Sequence, residues 1–127
     1  MKNLAGMVVV ASLFLVSFKP LNLDEVATAI RSGNVDQLSS FFDNRVDLSL
    51  PDKTDTYSKS QAEMIIRDFF SRYGVRNFQI KQRGETGGLE FCIGTLQTQN
   101  GDFRTCLYLK QKGDRQFIQQ LRFQVLQ

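Results

Sequence analysis

Glu90, the carboxylate best placed to lie on a sheet, and three tyrosines, Tyr57, Tyr73 and Tyr108, are the candidates for acid–base chemistry among this chain's thirteen acids and three phenols. A carboxylate beside a phenol can take a proton from a carbon next to a carbonyl while the phenol stabilises the enolate that forms. The chain has no histidine, which removes imidazole acid–base catalysis, serine triads and histidine-bearing metal sites together. GxSxG, phosphate-loop and CxxC patterns are also missing, and neither a cofactor nor a metal-ligand set is expected. The plainer reading of the same residues makes Glu90 a solvent-facing residue at a strand end. It makes Tyr57 the lead-in to a helix, and Tyr73 and Tyr108 amphipathic edges of the core.

Those side chains have to be positioned by helices followed by strands. Leu23, Val26 and Ile30 recur at helical spacing behind Asp24 and Glu25, acids that suit the positive end of a helix. Ser32-Gly33-Asn34 closes that helix and caps a second, whose apolar face is Val35, Leu38, Phe41 and Phe42 and which Asp43-Asn44 stops. Val46, Leu48 and Leu50 alternate as a half-buried strand up to Pro51-Asp52. Ser58 to Gln61 reads as a capping box, and Ala62, Ile65, Ile66, Phe69 and Tyr73 form one face of a long helix that Gly74 ends. Four strands follow: one around Phe78 and Ile80, then a flexible turn over 84–88, then 89–98, 103–111 and a last one through Phe117, Leu121, Phe123 and Val125. The class is α+β, with N-terminal helices and one long helix packed on a curved antiparallel sheet.

Asn100-Gly101 is a strong hairpin signal. With these two as the turn, Gln99 faces Asp102, Leu96 faces Thr105 and Ile93 faces Tyr108. One sheet face then carries Leu89, Phe91, Ile93, Cys106 and Tyr108; the other carries Glu90, Cys92, Leu96, Phe103, Leu107 and Leu109. Glu90 and Tyr108 point to opposite sides and do not form one site in this register. Both faces are apolar near the middle, although a sheet with helices on one side should have one wet face. A partner subunit, or a strand curling into the core, would account for the second. The same register sets Cys92 opposite Leu109 and Cys106 opposite Thr95, three positions apart and on opposite faces. That is ~10 Å at ~3.3 Å per residue, beyond the ~7 Å reach of a disulfide, so two free, largely buried thiols are expected.

The first nineteen residues stand apart from this pattern. Lys2 precedes a charge-free run from Leu4 to Phe18, and Lys19-Pro20 ends it. That is the build of a secretory signal peptide, with Leu15 and Ser17 as an imperfect cleavage motif. Its fifteen residues fall short of the ~20 that span a membrane, and apolar residues all round argue against a buried helix in so small a domain. Residues 20–127 then form one domain, exported to the periplasm or beyond. The sixteen basic and thirteen acidic residues fall to fourteen and thirteen once Lys2 and Lys19 leave. Arg67, Arg72, Arg76, Lys81 and Arg83, interrupted by Asp68, read as a solvated face, and no nucleic-acid motif is present.

The stretches SGNVDQLSSFFDNRVDLSLPD, YSKSQAEMIIRDFF, IGTLQTQNGDFR and DRQFIQQLRF resemble an uncharacterised family of small exported proteins, a domain of unknown function found in Bacteroidetes. The resemblance runs from Leu23 to Phe123. It implies a cone-shaped α+β roll similar to nuclear transport factor 2 and the ketosteroid isomerases, folds that often hold a pocket in the cone and often dimerise through the sheet. The resulting expectation is a non-catalytic envelope module that binds a small apolar ligand or a protein partner, as a homodimer through the sheet. If the cone is open its lining would come from Ile65, Phe69 and Tyr73 and the inner face of the last two strands; in a domain this small the same residues interdigitating to fill the cone is the competing expectation. An isomerase- or lyase-like enzyme with a carboxylate base, and a purely structural dimer, are the alternatives.

Overall fold

The computed structural model describes residues 22–126; the expected signal segment, 1–19, lies outside them. Helix α1 (Asn22–Arg31) buries Leu23, Val26 and Ile30 as its spacing requires. The short α2 (Val35–Ser39) is capped by the Asn34 side chain, which accepts from the Gln37 N–H at 3.1 Å. Six strands follow or flank the long helix α3 (Lys59–Tyr73): β1 (Phe42–Leu50), β2 (Lys53–Ser58), β3 (Val75–Thr86), β4 (Leu89–Thr98), β5 (Gly101–Lys112) and β6 (Arg115–Val125). They form one sheet in the order β2-β1-β6-β5-β4-β3. Every neighbouring pair is antiparallel except β1 and β6, which run parallel. The C-terminal four strands are the expected meander.

Four local expectations change. First, α2 stops at Ser39, Phe41 lies in the turn that follows, and Phe42 opens the sheet. The Phe41 carbonyl accepts from the Ile118 N–H at 2.7 Å and Phe42 sits opposite Ile118, so pairing with β6 wins over one more helical turn. Second, β2 is a strand that the sequence does not announce. Lys53-Thr54-Asp55-Thr56-Tyr57-Ser58 is polar throughout and mostly exposed, an edge strand held by its ladder with β1. Third, only Gly87 and Gly88 make the turn between β3 and β4, with φ of 55° and 80°. Gly84 lies within β3 because the Phe91 ring rests on it; a Cβ there would come within 2.8 Å of the ring.

The fourth change is the hairpin register. Thr98 pairs with Gly101 and Leu96 with Phe103, so the turn residues are Gln99 and Asn100. Tertiary contacts decide this. The Gln99 N–H donates to the Gly74 carbonyl at 2.9 Å, and the Asn100 amide donates to the Arg72 carbonyl at 3.2 Å, tying the turn to the end of α3. The shift is by two residues, so each side chain keeps its face, because strand side chains alternate with period two.

Helix α3 starts on the capping box: Ser58 Oγ accepts from the Gln61 N–H at 3.3 Å and Gln61 Oε1 accepts from the Ser58 N–H at 3.1 Å. It ends on Gly74, in the left-handed region at φ 74°. The helices cover one face of the sheet, burying Val46, Leu48, Phe78, Cys92, Leu96, Phe103, Leu107, Ile118, Leu121 and Phe123. At the far edge β3 carries two register shifts, and Arg31 Nε donates to the Phe78 carbonyl at 3.1 Å.

Candidate functional site

The cone interior is the first place a ligand would sit. The structure brings together Ile65, Phe69 and Tyr73 on one side of α3, as expected, and adds Phe70, which is also buried. Five rings meet there. Phe69 lies 4.9 Å from Phe123, 5.2 Å from Phe103 and 4.9 Å from Tyr73, centroid to centroid. Phe70 meets Phe123 nearly edge-on at 6.1 Å, and Tyr73 meets Phe103 the same way at 4.9 Å, the geometry aromatic quadrupoles favour. Phe69, Phe103 and Phe123 are 3%, 2% and 1% exposed, and the surface cleft beside them, between Ile65, Asp68, Arg72, Tyr73 and the β1–β2 turn, is about 10 Å³, about one water. Side chains from both walls fill the cone.

The acid–base candidates do not converge. Glu90 lies near the start of β4, half-buried, opposite Glu85 on one side and Leu109 on the other. Tyr108 sits opposite Phe91, on the other face of the sheet. Tyr57 is on β2, four strands away from β4 in the sheet, or ~19 Å at ~4.8 Å per strand. Tyr73 stacks on Phe103, which pairs with Leu96, six residues and ~20 Å along β4 from Glu90. No phenol reaches the carboxylate, so a positioned base and stabiliser, which proton abstraction needs within hydrogen-bond reach, are not assembled from these residues. Among the described residues no group of three or more Cys, Asp or Glu could hold a metal ion.

The cysteines are free thiols, for a revised reason. Cys92 faces Leu107 and Cys106 faces Ile93, one position apart along the pair instead of three, so their separation along the strands no longer keeps them apart. Opposite faces do. Cys92 is fully buried under the helices, and burial pushes its pKa up to about 11. Cys106 is only half-buried on the outer face, where Arg104 Nη1 approaches its Sγ at 3.4 Å; the expectation of two buried thiols holds for Cys92 alone.

That outer face is the remaining surface. Leu89, Phe91, Ile93, Cys106 and Tyr108 lie along it, all half-buried, with no helix of the described residues over them, and the Phe91 and Tyr108 rings sit 6.1 Å apart. Polar residues surround this band. Lys112 and Arg115 lie over the Phe117 ring at 6.0 and 5.2 Å. Lys112 also pairs with Asp43 at 2.8 Å. Burial raises the Asp43 pKa, but the hydrogen bonds from Lys112 and the Asn44 N–H outweigh it and leave the carboxyl below its ordinary value. Toward β2 a shallow groove of about 270 Å³ runs between Asp47, Ser49, Thr54, Thr56, Gln120 and Arg122.

A curved six-stranded sheet with helices packed on one face places the chain in the nuclear transport factor 2-like class of α+β folds. A nuclear transport factor 2-like protein of unknown function from Cytophaga hutchinsonii superposes with a TM-score of 0.59 over 82% of this chain and 86% of that one, at 9% identity. Within that class the chain belongs to the family described as a domain of unknown function, DUF4783, whose model matches residues 23–124. Crystal structures of family members from Bacteroides uniformis and Bacteroides fragilis are 29% and 27% identical to it, with TM-scores of 0.78 and 0.76. The alignments cover 82% and 80% of this chain and 96% of each of those. No curated protein matches the sequence.

Proposed function

We propose that this is a non-catalytic, exported envelope module that works by association, with the outer face of its sheet as the binding surface and a second copy of the chain as the partner. The observation that carries this reading is the apolar band of Leu89, Phe91, Ile93, Cys106 and Tyr108, which no other element of the described residues covers. Half-buried aromatic and aliphatic residues gathered at the middle of one face, with charges at the rim, have the make-up of an interface centre. A two-fold contact lets the same band face itself. The rings packed in the cone argue against the expected small apolar ligand, because Phe69, Phe103 and Phe123 are buried against one another where an organic molecule would need several hundred Å³. The separation of Glu90 from every tyrosine argues against a carboxylate-base enzyme. Export rests on the charge-free run from Leu4 to Phe18 behind Lys2.

Sedimentation equilibrium of residues 20–127 at micromolar concentration tests the association. Twice the chain mass is expected, falling to the monomer when Ile93→Lys places a charge in the apolar band. A wild-type protein that stays monomeric at these concentrations would overturn the homodimer.

A further inference from the structure

Gly84 is a glycine without a backbone reason. It lies inside β3, outside the positive-φ region that calls for glycine at the turns, and it pairs directly with Phe91 of β4. The reason is the space above it. A Cβ on Gly84 would stand 2.8 Å from Phe91 Cε1 and Cζ, and its three nearest atoms all belong to that ring. Phe91 therefore leans across onto bare main chain, while Tyr108 faces it from β5 with the two rings 6.1 Å apart. Gly94 makes the contrast. A side chain there meets the main-chain carbonyl of Gln79 as well as the buried Phe78 ring, neither of which has room to retreat. At Gly84 the nearest neighbour is a half-buried ring on the outer face, and such a ring can swing outward.

We infer that Gly84 is a positioning residue of the interface: it keeps the Phe91 ring low and so sets the shape that the apolar band presents to a second copy. This rests on the homodimer proposed above. Strand side chains ordinarily stand roughly perpendicular to the sheet, and a glycine across the ladder is where an aromatic ring can lie down instead. Carbon atoms settle about 3.5–4.0 Å apart, so an added Cβ lifts the ring by about 1 Å. Two faces held about 0.5–1 Å too far apart lose a quarter to a half of each dispersion contact across the gap. In a two-fold contact both copies carry the lifted ring, so the misfit enters twice.

Sedimentation equilibrium of Gly84→Ala, read beside its thermal melt, tests this. Self-association should weaken at least about tenfold, while Tm stays level or rises, because alanine is the more stable residue in a strand interior. A merely structural glycine predicts the reverse, a lower Tm with association unchanged. Unchanged association would overturn the inference and leave the homodimer standing; a wild-type monomer would remove both. A variant that fails to fold would also count against it, since the ring is meant to give way and the sheet to survive. In a Phe91→Ala background no ring remains to be lifted, so adding Gly84→Ala should change association by less than about twofold. A further tenfold loss there would show that position 84 acts without Phe91, which equally overturns the inference.

Discussion

Replacing Phe69 with alanine distinguishes a filled cone from an open one. Phe69 is 3% exposed and its ring lies between 4.9 and 6.1 Å from the rings of Phe70, Tyr73, Phe103 and Phe123. Burying such a side chain contributes about 1.5–3 kcal/mol, and favourable aromatic pairs add about 0.5–1.5 kcal/mol each. The neighbours come from α3, β5 and β6, so they cannot collapse together into the gap, and the cavity adds to the loss. Phe69→Ala should therefore fall in the upper half of the about 3–5 kcal/mol range for aromatic core truncations. For a domain near a hundred residues that is a drop in Tm on the order of 15–20 °C. Urea titration reads it as a lower midpoint at unchanged slope. A loss under about 1.5 kcal/mol, together with uptake of an apolar dye by the wild type that the variant loses, would show that Phe69 walls a cavity and would refute the packing argument.

Protein recovered from its native host should lack the first seventeen to twenty residues by intact mass; Met1 retained in a membrane fraction would contradict export. Oxidised and reduced protein should have the same monomer mass, and Cys106 should alkylate before Cys92, which becomes accessible only on unfolding; a loss of two hydrogens on oxidation would show a bridged pair. The Cys92 thiol stays protonated in the folded chain up to about pH 11, against an ordinary value of 9.0, whereas the unfolded chain ionises it near that ordinary value. The folded state therefore binds more protons across this window, and stability falls as pH rises through it. Comparing chemical denaturation at pH 8 and pH 10 should show that decline, reduced in Cys92→Ala. Gly94→Ala should cost about 1–3 kcal/mol or more by overpacking, because a Cβ there would run into the main-chain carbonyl of Gln79 on the neighbouring strand and lie 2.8 Å from Phe78 Cζ; a neutral melt would mean that the β3 backbone and this ring both give way.

The α3 cap, its aromatic face and the C-terminal meander are legible because each rests on local rules: a Ser-x-x-Gln start, apolar spacing and alternation. Phe70 is not legible, because it lies one position off the face marked by Phe69, and its burial rests on contacts between elements such as that with the Phe123 ring of β6. β2 is invisible for the opposite reason. Its six residues carry no apolar alternation, and its strand geometry comes wholly from pairing with β1. The hairpin turn slips because Gln99 and Asn100 bond to the end of α3, a contact that no window around Asn100-Gly101 contains. The assignment of Leu89, Phe91, Ile93, Cys106 and Tyr108 to one face survives that slip, since two residues is a whole pleat. Filling of the cone depends on how rings from three elements interlock, which residue spacing does not encode.

Both ends of this sheet refuse a further strand. At one end β2 presents lysine, aspartate and hydroxyls; at the other β3 is kinked by two register shifts and has a main-chain carbonyl occupied by Arg31. An extended chain arriving at either edge meets charge or broken spacing instead of a regular row of donors and acceptors. Growth by strand addition is open-ended, since each added strand exposes a new edge, and it leads to fibres. Contact between two broad faces consumes the surface that makes it and stops at a pair. A domain closed at its edges therefore does not seed polymers by strand addition, and in the dimer proposed above the number of copies is set by faces alone.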